Sequence, residues 1–451
     1  MVLVIPGVEV RVVKDVVSPQ LSPSGVLGIT GLTEKAPAGT QAVQSWSRFV
    51  ELYGAASAYS MPDAVQALQN GVSQLVVSPV DPTTAKTASV AVPAAKGTSF
   101  TLSARAPGSW ANGLVIMIAG RTALGNAVLD ITISSGNTVL ESLPGLPQDG
   151  ADKAIAARST LVVASAIGSP PKLGDDPLKL VLAGGADAAQ AAYAAALRLL
   201  ESEPDVDMVL AAVQDFSNAS TVAAIYGDVI AHCARMSANT KGRIGFGEVA
   251  PYDPAGNTPK DWAEGAAQLL SERFVLLAPN GVAGAVAGMV GSLEYFQSPT
   301  FKTVAGLTEL SRKLLVEEQE TLLKANVVPV ATMRGRGTVV VRGLTTDGDQ
   351  ISVRRVADRA VRGVKMIGDL FIGRLNNESQ RGALREKLVE FLVQMEKDGA
   401  IVPSTDRRDP AFKVNVYSSQ DDFVKGIVRV DMAVRPVRAI DYIYATVLVQ
   451  T

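Results

Sequence analysis

The chain is poor in the residues on which most enzyme chemistry depends. Its 451 residues include one histidine and one cysteine, and aromatic residues make up 5%. A lone Cys233 excludes an intramolecular disulfide framework and fits a reducing compartment. His232 adjoins it on an alanine-rich stretch read as a helix. Adjacent helical side chains diverge by about 100° and cannot act as a dyad, so a core or interface histidine is expected. A Ser-His-Asp arrangement needs a base oriented by a carboxylate, but no sequence signature gives the lone histidine such neighbours, and no G-x-S-x-G elbow surrounds a serine. The glycine-rich GRIGFG (Gly242 to Gly247) reads as a strand, GRG at Gly335 is shorter still, and no P-loop is present. The acidic pairs Asp175-Asp176, Asp205 and Asp207, and Asp347 and Asp349 lack the register of a calcium loop and read as turns. No catalytic, metal-binding or cofactor-binding residue is expected.

Charge and hydropathy exclude further classes. Forty-two basic residues against 44 acidic ones give a net charge of −2, unlike a generic nucleic-acid binder. The longest apolar run, Gly281 to Leu293, is glycine-rich and too short to cross a bilayer. MVLVIPG has neither a basic leader nor a cleavage site, so no secretory signal is expected.

What is present is an α/β chain of two to four domains, 47% hydrophobic and 19% charged. The apolar surplus fits either large contacts with other chains or a lean-surfaced monomer. Residues 1–20 carry an alternating strand, with Val8, Val10 and Val12 set between Glu9 and Arg11. Residues 21–84 alternate strands (Val26 to Gly31, Leu75 to Val80) with short helices (Ser45 to Tyr53, Met61 to Asn70). Residues 85–180 turn to Ala, Thr, Ser and Gly with strands at Ser99 to Ala104, Leu114 to Ala119 and Val128 to Ser134, read as a small antiparallel sandwich. Residues 181–335 return to strand–helix alternation, which argues for a mostly parallel sheet covered by helices; one helix is expected over Leu310 to Ala325.

Residues 336–451 open on the strand Thr338 to Gly343 and continue with two amphipathic helices. The first, Val353 to Phe371, sets Val353, Val356, Ala360, Val364, Ile367 and Phe371 on one face. Its other face carries Arg354, Arg355, Arg359, Arg362 and Lys365, with Arg374 adjoining, against Asp358 and Asp369: an excess of four positive charges read as lacking i,i+4 partners. The second helix runs from an Asn377 cap to Gly399. Strands follow at Phe412 to Tyr417, Ile427 to Val434 and Tyr442 to Val449, the last an apolar edge that needs a partner.

The order of RRVAD helix, LVEFLVQMEKDGAIV helix, KVNVYSS strand and GIVRVDMAVRPVRAIDYIYATVLVQ resembles the C-terminal domain of contractile tail sheath proteins of phages, bacteriocins and injection systems. PGVEV resembles the family's N-terminal arm, Phe49, Tyr53 and Gly54 its early core, and Pro107, Gly108, Trp110 and Asn112 a corner motif; GGAD and NVVPV are further landmarks. The resemblance implies a multidomain α/β protein with a subtilisin-like core, an inserted peripheral β-domain at 85–180 and a tube-facing C-terminal domain. It implies strand exchange between subunits through Val8, Val10 and Val12 and through Tyr442, Tyr444, Val447 and Val449, and a tube-facing basic helix at Arg354, Arg355, Arg359, Arg362 and Lys365. The implied role is structural: helical homo-oligomers, with six subunits to a ring, around an inner tail tube. Baseplate and terminator proteins are the further partners, with no cofactor, nucleic acid or membrane. Such a particle is a virion tail or its relative, made in a bacterial cytoplasm. A cytosolic hydrolase on residues 181–335, or a tube or baseplate protein, is the alternative.

Overall fold

A computed structural model describes residues 24–123, 126–307 and 309–444. In chain order, residues 24–84 give strands β1 (Val26–Gly31), β2 (Gln41–Val43) and β3 (Gln74–Pro79) with helices α1 (Trp46–Tyr53), α2 (Ser57–Ser60) and α3 (Pro62–Gln69). The next hundred residues give β4 (Ser89–Pro93), β5 (Thr98–Ala104), β6 (Val115–Ala123), β7 (Asn126–Ser135), β8 (Thr138–Pro147), helix α4 (Ala151–Arg158), β9 (Val162–Ala164) and β10 (Leu178–Val181). Alternation then resumes with α5 (Gln190–Leu199), β11 (Met208–Ala211), α6 (Ala219–Ala238), β12 (Ile244–Glu248), α7 (Pro259–Ala266), β13 (Phe274–Ala278), α8 (Ala283–Ser292), α9 (Val316–Lys324), β14 (Val328–Met333) and β15 (Gly337–Val340). The last stretch holds α10 (Ile351–Asp369), α11 (Glu378–Lys397), β16 (Phe412–Tyr417), α12 (Gln420–Val424) and β17 (Arg429–Val434).

Among the described residues the chain forms two compact units, 24–359 with 436–444, and 360–435. The larger is built on an eight-stranded sheet in the order β15-β14-β13-β12-β11-β1-β3-β2. Its six inner strands run parallel, and β15 and β2 close the two edges antiparallel. Both faces are covered, which is why β1, β12 and β13 are buried throughout and, apart from Thr30 and Glu248, apolar or glycine, with no alternation. One face packs α3 and α8 through Leu27, Ile29, Phe246 and Val286; the other packs α5, α6 and α9 through Tyr193, Tyr226 and Leu322. Helix α8 is buried along its whole length from Ala283 to Gly291. It can lie against α3 because a Cβ at Gly284 or Gly288 would sit 2.3 Å from Asp63 Cα or 2.5 Å from Ala67 O.

Residues 85–182 enclose an apolar cluster of their own, with Phe100, Leu102, Ile116, Ile131 and Ile155 buried. Two antiparallel sheets flank it, β4-β5-β9 and β10-β6-β7-β8. The expected sandwich also contains α4, which packs against β8 and β9. Asp187 fastens this region to the main sheet: one oxygen accepts the Ser109 N–H (2.8 Å), the other the Asp215 N–H (3.0 Å).

Three sequence expectations need correction. Helix α9 is confined to Val316–Lys324, not 310–325. Leu310 packs in the cluster on one face of the sheet and Leu314 in that on the other, so the segment passes across the sheet where helical spacing suggested one stripe. The helix expected over 353–371 is α10, Ile351–Asp369, starting directly after the turn that ends at Gln350. Tyr442, Ile443 and Tyr444 belong to no strand; the rest of that expected strand lies outside the described residues.

The smaller unit packs α10 beyond Ala360 and α11 against the β16–β17 hairpin through Ile367, Leu384, Leu388, Val414, Val416, Val428 and Val430. Asn377 caps α11, its side chain accepting the Gln380 N–H at 2.9 Å. The hairpin register pairs Phe412 with Val434 and Tyr417 with Arg429.

Candidate assembly surfaces

The lone histidine and cysteine are core residues. His232 is fully buried, and its Nε2 lies 2.7 Å from Nη1 of the equally buried Arg243. Arginine can only donate, so Nε2 is the acceptor and the ring is neutral; burial first, then Arg243, lower its pKa to about 4. Burial raises the Cys233 thiol to about 12. The glycines of GRIGFG serve packing: a Cβ at Gly245 would meet Val229 at 2.5 Å, and one at Gly247 would meet Phe274 at 2.7 Å.

The buried carboxylates also serve the fold. Glu248 Oε2 accepts the N–H groups of Gly281 (2.8 Å), Val282 (3.0 Å) and Ala283 (3.1 Å), and Oε1 accepts from Asn280 Nδ2 (2.8 Å). Asp63 Oδ1 accepts the next N–H, that of Gly284, at 2.8 Å. Together they cap the N-terminus of α8. Burial, then the neighbouring Asp63, raise Glu248 to about 8; burial raises Asp63 to about 6. Among the described residues no cluster of histidine, cysteine and acidic side chains could hold a metal ion, and no helix is long and apolar enough to cross a membrane.

The basic helix is less free than its sequence suggests. Arg355 points inward: it is 6% exposed, and its Nη1 donates to the carbonyls of Val290 (2.9 Å), Leu293 (3.4 Å) and Glu294 (3.4 Å) at the C-terminus of α8. Arg354 pairs with Glu272 (2.9 Å) and with Asp358 (3.5 Å), four residues on. Asp358 is itself bound by Arg273 at 2.9 Å. Arg359 lies over the Tyr295 ring at 5.5 Å, Arg362 is half-buried, and Lys365 pairs with Asp369 at 2.5 Å. The i,i+4 acids that the sequence reading discounted are therefore in use, and Arg355 belongs to the buried face.

Of the expected strand-exchange residues, Val8, Val10, Val12, Val447 and Val449 lie outside the described residues. Tyr442 and Tyr444 are 63% and 95% exposed, flanked by Ile440 at 79% and Ile443 at 84%. This apolar segment is anchored just before its exposed end. Asp441 accepts from Arg342 Nε and Gln350 Nε2, both at 2.9 Å, and Arg438 pairs with Asp349 at 2.7 Å. In the smaller unit β16 and β17 pair only with each other among the described residues. A groove of about 340 Å³ opens beside β17, lined by Val364, Phe371, Ile372, Leu375, Val428 and Val430.

One surface carried little sequence signal. The turn Arg334-Gly335-Arg336 between β14 and β15 stands in solvent beside Lys302 and Phe301. Its only trace in the sequence is the short GRG, which suggests phosphate chemistry more readily than a charged hairpin tip.

A layered parallel sheet, a separate β-rich region and a helix-pair unit make up a multidomain α/β fold, which comparison with known proteins places. Residues 183–346 match the family model described as phage tail sheath protein central domain. No curated protein sequence matches. Among solved structures, the chain is similar to the sheath tail protein Lin1278 from Listeria innocua, with 14% identity and a TM-score of 0.54 over 94% of each chain. It is similar to the anti-feeding prophage helical sheath in its contracted state, with 14% identity and a TM-score of 0.56 over 99% of each chain. The contracted PVC sheath of an extracellular contractile injection system gives 12% identity and a TM-score of 0.59, over 99% of this chain and 98% of that one. The chain has the fold of tail sheath proteins, and the resemblance read from its sequence holds.

Proposed function

We propose that the chain is a non-enzymatic subunit of a contractile tail sheath. It polymerises as stacked rings around an inner tube and shortens to drive that tube through a target envelope. The observation that carries this reading is the fold shared with sheath proteins, together with a hairpin β16–β17 whose outer edges pair with no other strand among the described residues. An unpaired edge favours added strands because backbone N–H and C=O groups are already aligned to receive them. The N-terminal residues Val8, Val10 and Val12 of one copy, and Tyr442, Tyr444, Val447 and Val449 of another, are the strands assigned to those edges. The parallel core supports a subtilisin-like topology without its chemistry. The half-buried Arg362 and the exposed Lys365 of α10 are assigned to the tube. Baseplate and terminator proteins complete the partners in a particle built in a bacterial host. Contraction requires two packings of unequal free energy joined by contacts that survive the switch, and exchanged strands meet that need without a nucleotide.

Negative-stain microscopy of the purified full chain tests the reading: hollow tubes are expected. Deleting Met1 to Val13, or Tyr442 to Thr451, should leave a folded monomer that forms none. A monodisperse full-length chain under all conditions, or truncations that still form tubes, would refute it.

A further inference from the structure

The edge of the eight-stranded sheet carries a feature that its own stability does not require. Segment 301–304 lies beside β15: the Phe301 N–H donates to the Val340 carbonyl (2.7 Å), and the Val304 N–H to that of Thr338 (2.8 Å). This holds Phe301 at φ +56°, a region disfavoured for residues with a Cβ and rarely occupied by aromatic ones. The ring is 43% exposed, and the Arg336 guanidinium lies 5.6 Å from its centre. Lys302, Arg334 and Arg336 are all exposed, and no carboxylate among the described residues pairs with any of them. Cations of α10, by contrast, meet Glu272, Asp358 and Asp369. A strained, exposed aromatic under Arg336, with Lys302 and Arg334 on the same sheet edge and no carboxylate pairing with any of the three among the described residues, is a contact surface suited to an acidic, partly apolar partner.

The same unit presents such a surface elsewhere. Helices α7 and α9 pack side by side, and at the start of α9 Leu315 and Val316 are 66% and 71% exposed. Around them stand the exposed acids Asp261, Glu264, Glu317 and Glu320, opposed by Lys260, which pairs with Glu264 at 3.8 Å, and by Lys313. We propose that the Phe301–Arg336 hairpin edge of one copy docks on the α7–α9 face of the next, seating the ring against Leu315 and Val316 within a charge-matched rim. The two surfaces differ, so the contact is head-to-tail and repeats into a ring or helix without closing on a pair. The inference rests on the sheath reading and adds to it a contact that uses neither terminal arm.

The test uses the full chain, with polymer measured by sedimentation and negative stain, and folding by thermal melting. Reversing all three cations (Lys302→Glu, Arg334→Glu, Arg336→Glu) should leave the melting temperature unchanged and raise the concentration needed for polymer more than ~tenfold, since like charges would then face each other. Adding Glu317→Lys and Glu320→Lys to that variant should restore polymer. Phe301→Gly, which relieves the backbone, should raise the melting temperature while weakening assembly. Polymer unchanged by the triple reversal would overturn the contact, as would its loss without rescue by the lysines, or a lowered melting temperature. A wild-type chain that never polymerises would instead overturn the sheath reading on which the contact depends.

Discussion

Arg355 gives the sharpest test of how the larger unit is held together. Its guanidinium enters a pocket closed by the last turn of α8 and donates to three carbonyls, with Nη1 2.9 Å from Val290 O. Replacing it with methionine keeps much of the apolar stem but leaves buried carbonyls without a donor. Hydrogen bonds to charged groups contribute about 1.5–3 kcal/mol each, and an unsatisfied buried group costs about 1–3, so a loss of about 2–4 kcal/mol is expected. Glutamate is worse, because it puts a buried carboxylate against carbonyl oxygens; a cost above about 5 kcal/mol approaches the whole stability of a domain at the low end of ~5–15 kcal/mol. All three tryptophans, Trp46, Trp110 and Trp262, belong to the unit that contains Arg355, so tryptophan fluorescence in urea isolates its unfolding. With a urea dependence of about 3 kcal/mol per molar, methionine should lower the midpoint by roughly 1 M, and glutamate should yield little folded protein. Lys365→Glu, at an exposed position paired with Asp369, should shift stability by less than about 1 kcal/mol. An Arg355→Glu variant with the wild-type midpoint would show that this arginine faces solvent and that the basic-stripe reading of the helix was right.

Three further outcomes follow from the interior. Glu248 titrates near 8 in the folded chain against 4.5 ordinarily, so its proton-bound form contributes stability that is complete below about pH 4.5 and lost as pH rises toward 8. Unfolding free energy should therefore fall across that window by up to ~1.4 kcal/mol per pH unit, and Glu248→Gln should flatten the slope; parallel pH curves for the two proteins would refute the assignment. A Cβ at Gly363 would lie 2.2 Å from the Phe391 ring, so Gly363→Val should destabilise the smaller unit by about 1–3 kcal/mol in a circular-dichroism melt, and Phe391→Ala should recover part of the loss if overpacking is the cause. Cys233, buried with its thiol raised to about 12, should resist alkylation at neutral pH until denaturant is added, and rapid native labelling would contradict its burial.

What the sequence displayed well were elements whose periodicity and caps agree. Asn377 caps the helix it was expected to cap, the helix expected from Ser45 begins one residue later, and the strands at Val26 and Phe412 fall where their patterns put them. It displayed poorly whatever depends on a distant partner. Nothing local tells that Arg355 meets a helix end some sixty residues earlier, whereas Lys365 on the same helix meets its neighbour Asp369. Leu310 and Leu314 have helical spacing yet serve opposite faces of a sheet. The assembly surfaces were legible only in part, because exposure is a property of the folded chain and not of residue type. The GRG hairpin owes its prominence to forming no ion pair among the described residues, which no reading of its own residues discloses.

Helix α8 has an acid at one end and an arginine at the other, Glu248 beside the N–H groups of Gly281 to Ala283 and Arg355 on the carbonyls of its last turn. Ten residues of helix, nine of them buried, separate the two by about 15 Å. Charges that far apart on a surface would be screened from each other, but across this span an effective dielectric near 20 leaves about 1 kcal/mol between them. Glu248→Gln and Arg355→Met should therefore not be additive in a double-mutant cycle, although the two side chains never touch. The coupling should vanish at pH 6, where Glu248 holds its proton, and emerge above pH 8 as it ionises. The buried helix thus works as an electrostatic strut, carrying a protonation event at one end of the domain to a salt-insensitive readout at the other.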